Sequence, residues 1–464
     1  MKQTLSQTDN LEMRSFGKTV FSLALPVMVQ SLISAAVNYA DVLMLSRVSQ
    51  SAMSAVSQAN QITFVLTLFY MGLATGVTIL SSQYWGIGNL RAIGQTLGLA
   101  LRLSLGISAV FFLGALLLPG QLMGLYTPDP ELIGYGIPYL RIVSVGYLAM
   151  GVSQMMLASM KSMEQTKISS VFSSASLICN IALNAVAIFV LFPGEPEKAV
   201  MGVAAATVIS RILEAVGCFV WMNRKSGISW QGKDLIRSEA WLKADFRSCT
   251  WKVQLNYLIW GGALSVTTAL IGHVSSDMVS AYAVANSVRN LVIVGCTGMS
   301  TAGGILLGKY LGAGRLALAK AAGDRLRLWS ILIGAASGGI LLLIRPLCLK
   351  MAVLNDSAAQ ILDYMLLICS VYCIGKSFNS TMVGGIFCAG GDTRFGLICD
   401  TVAMWGVILP LAALCAFHWK LQPQWVFLVL CMDEFVKMPF VAIHYSKYRW
   451  LNNLTRNNEE ERET

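Results

Sequence analysis

Charge is scarce in this chain: Asp, Glu, Lys and Arg together make up 12% of its 464 residues, about half the share a soluble globular protein carries. Histidine is rarer still, and His273, His418 and His444 fall at the ends of apolar runs, which argues against a buried histidine metal centre. The 11 cysteines are scattered singly, with no pair at metal-ligand spacing and no disulfide framework in external loops. They read as small apolar packing residues. No Walker-type phosphate loop and no kinase-like signature occurs, so no site for a nucleotide fuel is visible, and uphill work must draw on an ion gradient. Beyond the adjacent Asp433 and Glu434 no converging acid, base or metal set appears, which argues against an enzyme and against a cofactor.

What fills the chain instead is apolar sequence, 55% of all residues. Runs of about 20 residues or more recur along it, each able to span about 30 Å of hydrocarbon. The composition predicts an all-α, polytopic membrane protein with twelve transmembrane helices, at 19–46, 53–81, 93–118, 132–158, 168–192, 202–222, 253–273, 279–308, 328–346, 360–387, 395–418 and 423–445. The first 18 residues are polar and lack a cleavable-signal pattern, so the first span is expected to remain. An even number of spans puts both termini on one side. Lys and Arg crowd the segments that share that side, which predicts cytoplasmic termini. The net charge of +10 follows from this topology, facing anionic lipid, and no nucleic-acid partner is expected.

The chain also repeats itself. Shifted by 226 residues, "LSRVSQSAMSAVSQAN" (45–60) lies over "IGHVSSDMVSAYAVAN" (271–286), and "ILSSQYWGIGN" (79–89) over "ILLGKYLGAGR" (305–315). A shift of 227 places "QTK" (165–167) over "DTR" (392–394). The expected organisation is two six-helix lobes, 1–222 and 253–445, in parallel orientation, with a cytoplasmic linker at 223–252 that carries seven Lys/Arg and a polar cytoplasmic tail at 446–464. Secondary transporters built from such repeats bind their cargo between the halves.

Within the first span, Asp41 is the only charged residue between Thr19 and Ser46. A carboxylate in a bilayer costs about 2.5–3.5 kcal/mol on insertion scales, so its presence there asks for a use. Arg211 with Glu214, and Glu434 with Lys437, are each three residues apart within a span. That spacing allows a same-face ion pair, structural or gating, at the inner side. Arg102, Arg141, Arg289, Asp400 and Asp433 are expected near the membrane interfaces.

The stretches "ALPVMVQSLISAAVNYADVLMLSRVS", "SSQYWGIGN", "NIALNAVAIFVLFPG", "GVAAATVISRILEA", "ILLGKYLGAGR", "AGGDTRF" and "DEFVKMPFVAIHYSKYRWLNNL", in this order, resemble the multidrug and toxic compound extrusion (MATE) family, most closely its DinF-like and clostridial-type bacterial members. The resemblance covers roughly residues 15–453. It implies a secondary active antiporter of the bacterial cell membrane, a monomer exporting amphipathic, cationic small molecules against inward H⁺ or Na⁺. It also carries over an ion-coupling set: Asp41, Asn180, Asn184 and Thr207, with H⁺ or Na⁺ as the bound ion. Their positions near span ends put all four in the outer half of the membrane, Asn180 and Asn184 one turn apart. Mere interhelical glue is the competing role.

The sequence departs from the family's pattern in several places. Asn184 stands where some relatives have an acid. Asn256-Tyr257 replaces an Asn-Glu pair, Cys388 an Arg, and Ser377 an Asp of the NorM-like branch. Asp41 maps onto Thr267 in the repeat, so coupling is expected in the first lobe alone. Tyr39, Asn256, Trp260, Lys376 and Phe378 are the candidates for a substrate cavity. A lipid-linked oligosaccharide flippase of the wider superfamily, or an exporter of one endogenous metabolite, remains the alternative.

Overall fold

The computed structural model describes residues 7–228, 238–352 and 354–456. Among them the chain forms helices joined by short turns, with no strand. The first half contains α1 (Gln7–Ser46), α2 (Gln50–Gly86), α3 (Leu90–Leu117), the short α4 (Pro119–Gly124), α5 (Pro130–Ser162), α6 (Thr166–Leu191) and α7 (Pro196–Lys225). The second contains α8 (Ala240–Val274), α9 (Ser276–Val292), α10 (Val294–Gly312), α11 (Leu316–Met351), α12 (Asp356–Phe387), α13 (Thr393–His418), α14 (Pro423–Cys431) and α15 (Asp433–Ser446). Each of the twelve expected spans falls on helix.

Ten of these helices are long and apolar enough to cross a bilayer by themselves. The pair α9 and α10 qualifies only jointly, being bent by 42° at Ile293. The twelfth expected span, 423–445, is divided at Met432 into α14 and α15, each shorter than a bilayer crossing. There Met432 N–H bonds to Val429 O, tightening the backbone to an i→i−3 turn just before Asp433 and Glu434.

Helix ends follow local chemistry, and they follow it twice. Ser49 accepts a hydrogen bond from Ala52 N–H at the start of α2, and Ser275 accepts one from Met278 N–H at the start of α9, 226 positions on. Asp129 caps α5 and its counterpart Asn355 caps α12. Gly88 and Gly314 turn the chain after α2 and α10 with φ of +72° and +71°. A fourth pair departs in residue type but keeps the backbone: Glu164 (φ 63°) and Gly391 (φ 73°) are 227 apart, and each is followed by an N–H bonded five residues back. The duplication read from the sequence is therefore also a duplication of caps and turns.

The chain packs as two compact units. One holds Val29–Ser81 and Gly88–Thr250; the other holds the residues through Met28, Ser82–Ile87, and the chain from Trp251 on. In the first, glycines bring helices close: a Cβ on Gly202 of α7 would stand 2.8 Å from the Ala187 Cβ of α6. In the second, a Cβ on Gly338 of α11 would stand 2.2 Å from Ser370 O of α12. Small residues at such crossings let membrane helices gain van der Waals contact. Its core includes Phe16, Leu306, Leu326, Phe387, Tyr445 and Trp450.

Two polar segments are more structured than their composition suggests. The expected linker 223–252 is helical at both ends, α7 reaching Lys225 and α8 starting at Ala240, while 229–237 lies outside the described residues. Leu242, Phe246, Cys249 and Val253 are buried, a helical stripe with Lys243 and Arg247 on the other face. The expected tail 446–464 is anchored as far as it is described: Trp450 is fully buried, and Gln83 accepts from Leu454 N–H and donates to Asn452 O.

Candidate functional site

In the unit that contains Val29–Ser81, α1, α6 and α7 bring Asp41, Asn180, Asn184 and Thr207 together. The amide of Asn184 donates to Asp41 Oδ1 at 2.9 Å and, more weakly, to Asn180 Oδ1 at 3.4 Å. The amide of Asn180 donates to Thr207 Oγ1 at 3.3 Å, and the Thr207 hydroxyl donates to Val203 O at 3.0 Å. The four side chains thus form one connected chain between a carboxylate on α1 and the backbone of α7, with donation diverging from the Asn184 amide toward both ends. Lower on the same helices, Gln30 donates to Ser173 at 2.8 Å, and Ser176 donates to Ser210 O at 2.9 Å. These bonds tie α1 to α6 and α6 to α7, fixing the distances at the cluster.

Acceptors are in excess here. The Asn184 side chain is buried, and its Oδ1 has no hydrogen-bond donor. Asp41 is partly buried and, among the described residues, receives a single hydrogen bond, whereas an ionised carboxylate can accept about four. No cation sits on it among the described residues. Arg211, the one basic side chain the sequence placed within a turn of Thr207, pairs with Glu214 at 3.1 Å, and Ser153 donates to the same Glu214 oxygen at 2.9 Å. The α6 backbone turns π-helical at Ala187–Leu191, one turn beyond Asn184, a distortion frequent at functional sites.

No feature of the sequence pointed to Tyr70, Tyr139 and Tyr147 of this unit. Tyr139 of α5, nearly fully buried, lies within electrostatic range of Asp41 and donates to Asn60 Oδ1 at 3.2 Å. Tyr147 shares a hydrogen bond with Thr63 at 3.1 Å, and the Tyr70 hydroxyl donates to Tyr147 O at 2.8 Å. A hydroxyl in an otherwise apolar run carries no periodicity signal, so these contacts become visible only once α2 and α5 are packed.

The other unit holds a cluster of charge that the sequence presented as separate residues. Lys437 Nζ of α15 is 3.1 Å from Asp400, 3.3 Å from Glu434 and 3.5 Å from Asp433. Lys376 of α12 reaches Glu434 at 3.1 Å, and the Asn379 amide donates to Glu434 Oε2 at 2.8 Å. Asn256 of α8 donates to Asp400 Oδ2 at 2.9 Å. Asp400 and Asp433 are held with Lys437 inside the unit, where three carboxylates meet two ammonium groups. Arg289 is likewise internal, stacked 5.2 Å from the Tyr372 ring and donating to Asn286 at 2.6 Å. The Glu434–Lys437 pair is present as the spacing requires, but it is one edge of a larger network.

The remaining cavity candidates separate. Tyr39 is exposed on α1 and Trp260 is at the margin of exposure on α8. Asn256 and Lys376 belong to the charge network. Phe378 is packed in the core with the residues around Leu326 and Phe387, so it lines no open surface. Among the described residues no group of three or more His, Cys, Asp or Glu forms a metal-binding cluster.

Comparison with known proteins adds a family and a fold. The MatE family model matches residues 26–186 and 256–414. Over 94% of this chain and 96% of its own length, the uncharacterized transporter YisQ of Bacillus subtilis is 25% identical. The multidrug resistance protein PmpM of Pseudomonas aeruginosa is 24% identical, over 86% of this chain and 84% of its own. Among solved structures, a mutant of the Vibrio cholerae MATE transporter VcmN superposes with a TM-score of 0.86 at 16% identity, covering 96% of this chain and all of that one.

Proposed function

The chain belongs to the MatE family, and from that premise we propose that it is a secondary active antiporter that exports amphipathic, cationic organic compounds in exchange for inward H⁺ or Na⁺. One observation carries the coupling half of this reading. Asp41 is held by an amide rather than a cation, and the adjacent buried Asn184 Oδ1 has no donor. Two unfilled oxygen acceptors beside one negative charge suit a proton or a hard monovalent cation such as Na⁺, which prefers oxygen ligands. Asn180 and Thr207 supply further oxygens within one side chain's reach.

Binding of the ion neutralises Asp41 and gives Asn184 Oδ1 a partner. A state in which the helices around the cluster close over it is thereby favoured. Release restores the charge and the open state, so each ion entering biases the export of one cargo cycle through its differential affinity for the two states. Arg211 stays with Glu214 and does not compete for Asp41 in this scheme. Tyr39, Trp260, Asn256 and Lys376 are the residues proposed to meet cargo, and the Arg211–Glu214 and Glu434–Lys437 pairs hold or gate the helices. The two lobes are 1–222 and 253–445, in a monomer of the bacterial cell membrane with both termini cytoplasmic. No cofactor is required.

The names of the relatives support multidrug export, since PmpM is a multidrug resistance protein. The test is transport in everted membrane vesicles carrying the protein, with an imposed proton or sodium gradient and a panel of lipophilic cationic dyes. Gradient-dependent accumulation of at least one dye is expected. If no dye moves under either gradient, with the protein verified in the membrane, drug export is wrong and a single endogenous metabolite becomes the cargo to seek.

A further inference from the structure

In the unit that ends the chain, the turn between α12 and α13, the last turn of α15 and the segment after it line an open cavity of about 560 Å³. Three cations line it: Arg394, Lys447 and Arg449, all exposed. None is in an ion pair among the described residues. The one carboxylate in the lining, Asp392, is already engaged, since His444 Nε2 lies 2.5 Å from it and the imidazole stacks on Phe395 with ring centroids 3.9 Å apart. The cavity therefore offers net positive charge with its own acid held to one side.

Apolar side chains continue from it along both helices. Arg394 and Ile398 are one turn apart on α13, and Ile398, half-exposed, lines the same cavity. On α15, Ile443 precedes Lys447 by one turn and Phe440 precedes Ile443 by another, 56% and 60% exposed. The two helices run in opposite senses along the chain: α13 begins at the cavity and α15 ends at it. On each, the basic residue is at the cavity end and the exposed apolar residues follow toward the helix middle. α13 is long and apolar enough to cross a bilayer by itself and α15 completes the expected span 423–445, so on the proposed topology this end of each helix meets the membrane surface.

We propose that this cavity binds the headgroup of an anionic phospholipid. The phosphodiester sits among Arg394, Lys447 and Arg449, and an acyl chain lies along Ile398, Ile443 and Phe440. A free phosphate would use the cations and gain nothing from the apolar track; a zwitterionic lipid would use the track and bring no net charge. Only an anionic lipid satisfies both features at once. Guanidinium groups suit a phosphate because they present paired donors, and basic pockets at the ends of membrane helices are a known lipid-recognition device. The claim concerns binding and does not depend on which cargo or ion the protein moves.

The purified full-length protein, in detergent, is titrated with phosphatidylglycerol and with phosphatidylcholine of the same chains, and bound lipid is counted by native mass spectrometry. Phosphatidylglycerol should bind at least about tenfold more tightly, with each neutralised cation weakening it about fivefold, as for a basic residue near an anionic surface. The combined Arg394→Gln, Lys447→Gln, Arg449→Gln variant should lose the preference. Arg224→Gln with Lys225→Gln, which removes charge from the end of α7, should keep it. Ile398→Ser with Ile443→Ser should weaken phosphatidylglycerol while leaving the cations in place. If the triple variant does not stay folded, single Lys447→Gln and Arg449→Gln variants serve the same comparison. Equal retention of both lipids by the unaltered protein overturns the proposal, as does an unchanged preference in the triple variant. Displacement of the lipid by millimolar inorganic phosphate would reassign the cavity to a free anion.

Discussion

Lys437 is the residue on which the second unit's charge balance turns, and its replacement by Met gives a calculable result. The Lys437 side chain is 8% exposed, and its ammonium lies within 3.5 Å of three carboxylates. Met keeps the length and apolar stem and removes only the charge. Lys376 can still balance Glu434 at 3.1 Å, and Asp400, with a quarter of its side chain exposed, can be hydrated. Asp433, buried beside Glu434, is left without compensation. Breaking a buried pair in this way costs about 3–5 kcal/mol. The chain can escape part of that by taking up a proton, and protonating an ordinary carboxylate at pH 7 costs about 4 kcal/mol, which caps the penalty near that value. The cap falls by about 1.4 kcal/mol for each unit of pH lowered, to about 1.5 kcal/mol at pH 5. Thermal unfolding of the detergent-purified protein, followed by loss of the monodisperse size-exclusion peak, should show Lys437→Met lowered by several degrees at pH 7 and by much less at pH 5. Adding Asp433→Asn should recover most of the loss, because it removes the unbalanced charge. Lys376→Met, at a more exposed end of the network, should cost less. A Lys437→Met protein that unfolds with the wild type at pH 7, or whose deficit is the same at pH 5, would refute the reasoning.

Three further outcomes follow from the same structure. Gly338→Leu should prevent accumulation of folded protein, because its Cβ alone would stand 2.2 Å from Ser370 O and the backbone on neither side can yield; Gly339→Leu, with nothing near its Cβ, should express normally. In a cysteine-free background, a cysteine in the 223–252 linker should resist an impermeant thiol reagent in intact cells while one at Asp129 labels; the reverse would overturn the proposed orientation. Gly390→Ala should detach the segment around Trp450, whose carbonyl would be 1.7 Å from the new methyl, and raise the protease sensitivity of the chain after Ser446.

How much of this was readable beforehand depends on what kind of signal each feature leaves. Helices of 20 or more apolar residues announce themselves, and every expected span fell on helix. The kink at Ile293 and the break at Met432 did not, because neither carries a proline or glycine at the break. The amphipathic stripe Leu242, Phe246, Cys249 was present in the sequence, but the surrounding Lys and Arg gave the segment the look of a solvated connector. Trp450 was hidden likewise among tail charges. For the Asp41 cluster, residue types and family position named four side chains that the structure does bring together, with Asn184 2.9 Å from Asp41. Its tyrosine neighbours and the three-acid, two-lysine network are encounters between distant helices, from Asn256 to Lys437, and no spacing along the chain encodes them. Spacing did encode the i,i+3 pairs, and both are there.

The central claim is that Asp41 holds the coupling ion, and Asp41→Asn tests it most directly. The amide keeps the size of the side chain and can still accept from Asn184, so expression and thermal stability should stay near those of the wild type. Purified protein in proteoliposomes would be assayed twice: for dye transport driven by an imposed proton or sodium gradient, and for dye binding at equilibrium. The account predicts that the variant binds dye with near wild-type affinity and has lost gradient-driven transport. Transport at the wild-type rate by Asp41→Asn would contradict it and leave the carboxylate a structural tie between α1 and α6.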